Sequence, residues 1–189
     1  MISGRRTFSV NRSGRYHMEK KLRKYESNLI ASGFATILFG VWLVAKSLLG
    51  TFLITTNSEA ADSLALSDDV IENHPEAFAI IILILIAILL GTLLIGVLMR
   101  VYIGRSADAD AKGRKKKGWA YVVWAIILAA ADIVGIAGTW MTVSRINLLS
   151  TILTSLLDLA SLAALIDLII SAINVKRLRK ALSATVQEI

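Results

Sequence analysis

From Ala77 to Met99 the chain runs for 23 residues without a charge. Three more apolar blocks accompany it: Leu29–Thr55, Gly118–Ser144 and Ile146–Val175. Each exceeds the roughly 18 apolar residues that mark a transmembrane helix. Hydrocarbon offers backbone groups no water, so only helices and closed barrels span it. These unbroken runs lack the alternation of barrel strands. With 56% hydrophobic and 19% charged residues, little is left for the polar faces that soluble helices need. The expected fold is all-α: a polytopic integral membrane protein built as a four-transmembrane-helix bundle. Its spans are about 29–55, 77–99, 118–144 and 146–175, with a basic segment at 1–28 and a tail at 176–189.

Charge sets the expected orientation. Of 21 lysines and arginines, eight lie in 1–28, seven in 100–117 and four in 176–180. The first loop, Thr56–Glu76, has none, and carries Glu59, Asp62, Asp68, Asp69, Glu72 and Glu76. Positive loops stay inside, so both termini are expected in the cytoplasm and the protein in the cell membrane, multi-pass. The basic segments make anionic headgroups expected partners, beside the bilayer itself. Topology accounts for the formal charge of +7, so nucleic acid is not an expected partner. The acidic loop reads as a solvated surface.

Chemistry-bearing motifs are few. The chain has no cysteine, which excludes disulfides and thiolate metal sites. His17 and His74 fall on opposite sides of the first span, which excludes a histidine site built from both. There is no P-loop and no dinucleotide fingerprint. Asp108-Ala109-Asp110 has the D-x-D form of some metal–nucleotide sites, but no further residues support one. The chain is therefore not expected to be an enzyme, and no catalytic, cofactor-binding or metal residue and no cofactor is assigned.

The charges inside the spans are the candidate functional residues, because a carboxylate in hydrocarbon needs a partner. Taking block centres as the midplane, Lys46, Asp132 and Asp158 fall within about 6 Å of one level, at 1.5 Å per residue. They are expected to form an intramembrane charge cluster between spans one, three and four. Asp167 is nine residues from Asp158, so about 180° away around the helix. It lies roughly 10 Å to the cytoplasmic side of the midplane. With Ser171 and Asn174 it marks a possible partner or ion-pathway face.

Packing expectations follow from residue size. Gly33, Gly40 and Ser47 recur every seven residues and allow close helix approach. The Ile/Leu surface of span two faces lipid. Spans three and four form a hairpin, with span one against it. Met1–Arg15 is expected to be irregular. Met18, Leu22, Tyr25 and Leu29 form one helical stripe, which either lies on headgroups or continues span one. Two functions are compatible with all this. One is a non-enzymatic accessory or scaffolding subunit of a membrane complex, acting through helix–helix association as a homo-oligomer or with a membrane-protein partner. The other is a small oligomeric ion or proton channel or transporter using the intramembrane aspartates.

Overall fold

A computed structural model describes residues 4–56, 75–114, 118–141 and 148–187. They form four helices: α1 (Gly4–Thr56), α2 (Pro75–Ala111), α3 (Ala120–Met141) and α4 (Leu148–Gln187). All four are long and apolar enough to cross a membrane. The chain thus has the make-up of a multi-pass membrane protein. Residues 57–74 of the acidic loop and the turn at 142–147 lie outside the described residues.

The helices outrun their apolar blocks. α1 has 53 residues, about 80 Å at 1.5 Å per residue, against a hydrocarbon core of about 30 Å. It begins at Gly4, so the segment up to Arg15 is helical rather than irregular. No proline interrupts it, and Gly4 and Gly14 each cost only about 1 kcal/mol. α2 does not stop at Met99 but continues to Ala111, through residues expected to be loop. Gly113 then takes a left-handed φ of 63°. Its amide donates to the carbonyl of Asp110, and that of Arg114 to the carbonyl of Ala109, both at 3.1 Å. This is the hydrogen-bond pattern of a Schellman cap, which a glycine adopts most cheaply.

Contacts group the chain into two units, residues 1–36 with 102–189, and residues 37–101. In the first unit α3 packs on α4. Gly118 meets Lys176 and Asp132 meets Ser161, so the two helices are antiparallel. α1 meets α4 through Glu26–Arg179 and Ser32–Asp167. α1 also approaches α2: a Cβ on Gly33 would stand 3.0 Å from the Gly104 carbonyl oxygen. The core holds Leu29, Ile103, Ala107, Tyr121, Ala125, Leu165 and Leu168, with Leu22 and Tyr25 packed against it. The stripe that begins near Met18 therefore continues span one and turns Leu22, Tyr25 and Leu29 toward protein.

In the second unit α1 and α2 run antiparallel. Gly40 lies against the Arg100 side chain and Gly96 against Leu43. The apolar stretch of α2 is the least buried of the four spans. Leu83, Ile86, Ile88, Leu90, Leu94 and Ile95 are exposed, the surface that a lipid-facing helix presents.

Candidate functional site: buried polar clusters along the helices

The intramembrane carboxylates meet hydroxyl donors on neighbouring helices. Ser161 on α4 donates to Asp132 Oδ2 on α3 at 3.1 Å. Ser161 shares a helix face with Asp158, three residues before it and half-buried. Asp167 takes the opposite neighbour: Ser32 on α1 donates to its Oδ2 at 2.5 Å. On α4, Ser161 therefore meets α3 and Asp167 meets α1. Ser171, one turn beyond Asp167, is buried, and its hydroxyl has no hydrogen-bond partner. Asn174 is half-buried. Lys46 is half-buried on α1 and belongs to the second unit, whereas Asp132 and Asp158 belong to the first.

A second cluster joins all four helices. Asp110, on the extension of α2, is 4% exposed. Tyr121 of α3 donates its hydroxyl to Asp110 Oδ2 at 2.6 Å. Arg179 of α4 donates Nη1 to Asp110 Oδ1 at 3.4 Å. The same guanidinium donates Nη2 to Glu26 Oε1 of α1 at 2.8 Å and to the Ala111 carbonyl at 2.9 Å. Lys176 stands 3.9 Å from Asp110, donates to the Gly118 carbonyl at 3.0 Å, and lies 4.4 Å from the Trp119 ring centre. Two cations face two carboxylates, so the cluster is balanced and closed; its geometry is that of a clasp.

No family model, curated protein or solved structure matches the chain.

The clasp was missed in the sequence. Asp110 falls between the apolar blocks, where residue spacing carries no facing information. Arg179 and Lys176 read in the sequence as topology charges. One signal was available: Glu26 and Asp110 are among the few acids in strongly basic segments. Asp108 and Asp110 do not converge. Asp108 pairs with Lys112 at 2.6 Å, about 200° around the helix from Asp110. Among the described residues no group of three His, Cys, Asp or Glu side chains is placed to hold a metal.

Proposed function

We propose that this is a non-enzymatic multi-pass protein of the cell membrane, both termini cytoplasmic, that works by helix–helix association as an accessory or scaffolding subunit. The supporting observation is the outer face of α3. Ala131 and Gly135 are exposed there at i, i+4, with Gly138 beside them. Nothing lies within 4 Å of where a Cβ on Gly135 would stand. Gly33, Gly40 and Gly96 are, by contrast, occupied by packing within the chain. Association in lipid is driven by close packing and not by hydrophobic exclusion, so small residues on an outer face suit a second helix. The basic segments add attraction to anionic headgroups on the cytoplasmic side.

The test is energy transfer between labelled copies in vesicles at falling protein-to-lipid ratio. Transfer is expected to persist on dilution. Gly135→Leu is expected to weaken association on the order of tenfold while leaving the melting temperature of the dissociated chain unchanged, because nothing within the chain lies against this position. A wild-type chain that stays monomeric, or a Gly135→Leu chain that associates normally, contradicts the reading. The hydroxyl-bonded carboxylates favour the ion-pathway reading as the alternative. Cation or proton flux in the same vesicles, removed by Asp132→Asn, would put that reading in its place.

A further inference from the structure

We propose that Asp167, Ser32 and Ser171 form a binding site for a monovalent metal cation, sodium, between α1 and α4. The starting point is Ser171. It is 1% exposed and its Oγ has no hydrogen-bond partner. A buried hydroxyl left unsatisfied costs about 1–3 kcal/mol, so this oxygen is placed where a ligand would repay it. Ser171 stands one helical turn after Asp167, on the same face. Helical side chains lean toward the N-terminus, which tilts Ser171 back toward the Asp167 carboxylate.

The facing wall is α1. Ser32 is 5% exposed and its hydroxyl sits on Asp167 Oδ2. Thr36, fully buried, donates to the Ser32 carbonyl at 2.8 Å and fixes this turn. The ligand set is then one carboxylate and two hydroxyl oxygens, and hard cations take oxygen ligands. A single negative charge suits a monovalent ion; calcium sites carry more carboxylates.

Asp167 itself calls for a positive partner. It lies eight residues inside the apolar block that ends at Val175, about 12 Å along the helix. A carboxylate there needs a counter-charge. Among the described residues no cation pairs with it, and Ser32 supplies a dipole only. Asp167 is itself exposed, so the site is not sealed within the chain. Binding requires the hydroxyl protons to turn away from the ion. For Ser32 the carbonyl of Asn28, four residues earlier on the same helix, is the acceptor that a rotated hydroxyl reaches. The site needs no second chain, so it stands apart from the association reading.

The test uses the full chain in detergent, titrated with NaCl or KCl against choline chloride at constant ionic strength. Melting temperature is read alongside retention of radioactive sodium. A saturable, sodium-specific rise in melting temperature is expected, with sodium retained. Asp167→Asn should abolish both. Ser171→Ala should melt like wild type in choline, because it removes only an unsatisfied hydroxyl, yet bind sodium about tenfold or more weakly. Equal responses to sodium, potassium and choline, or no retained sodium, overturn the proposal. So does a Ser171→Ala chain that responds to sodium like wild type, the result expected if Ser171 holds water only.

Discussion

Asp108 and Asp110 are two residues apart and have opposite fates. Asp108 makes an i,i+4 pair with Lys112, with both side chains more than a third exposed. Such pairs contribute about 0.3–0.5 kcal/mol. Asp110 is buried beneath Tyr121, Arg179 and Lys176. Removing one partner of a buried ionic cluster costs about 3–5 kcal/mol. Arg179 keeps Glu26 and the Ala111 carbonyl, so Asp110→Ala is expected to cost about 2–3 kcal/mol. Asp108→Ala is expected to cost under about 0.5 kcal/mol. Denaturant unfolding in detergent separates the two; equal effects would mean that Asp110 clasps nothing. The sequence showed both carboxylates and hid the difference. Facing is defined only once the segment is known to be helical, and its charges made it resemble a loop.

At the scale of the element, existence was legible and extent was not. Each apolar block holds one of the helices, but α1, α2 and α4 continue well beyond theirs. Apolar length measures the hydrocarbon that a helix must cross, not the helix. Past Met99 the α2 helix is held by protein: Ile103, Ala107 and Ala111 are buried. The glycines show where helices touch. Gly33 stands 3.0 Å, from the position its Cβ would take, from the Gly104 carbonyl oxygen and 3.3 Å from the Ala107 Cβ. Neither is the end of a flexible side chain. Gly33→Ala is therefore expected to destabilise by about 1–3 kcal/mol through overpacking. Gly14 lies on an exposed turn of the same helix with nothing within 4 Å. Gly14→Ala should be neutral or stabilise by up to about 1 kcal/mol, from helix propensity. Paired melting curves check this, and a Gly33→Ala chain as stable as Gly14→Ala would remove the close α1–α2 approach from the account.

For the whole molecule, the four apolar blocks are enough to expect the four helices that are long and apolar enough to cross a membrane. Which neighbour each polar face meets was less legible. Neither Ser161's bond to Asp132 nor Ser32's to Asp167 could be read from the sequence, because helix order around a bundle leaves no trace in periodicity. The central claim is that the helices cross a bilayer and leave their basic ends together in the cytoplasm. The chain contains no cysteine, so single-cysteine variants need no background removed. Ser58→Cys and Lys112→Cys, expressed in intact cells, should be treated with a membrane-impermeant maleimide before and after permeabilisation. Ser58→Cys is expected to label in intact cells, and Lys112→Cys only after permeabilisation. Labelling of Lys112→Cys from outside, or of both positions from the same side, would contradict the topology and every depth assigned to Lys46, Asp132, Asp158 and Asp167.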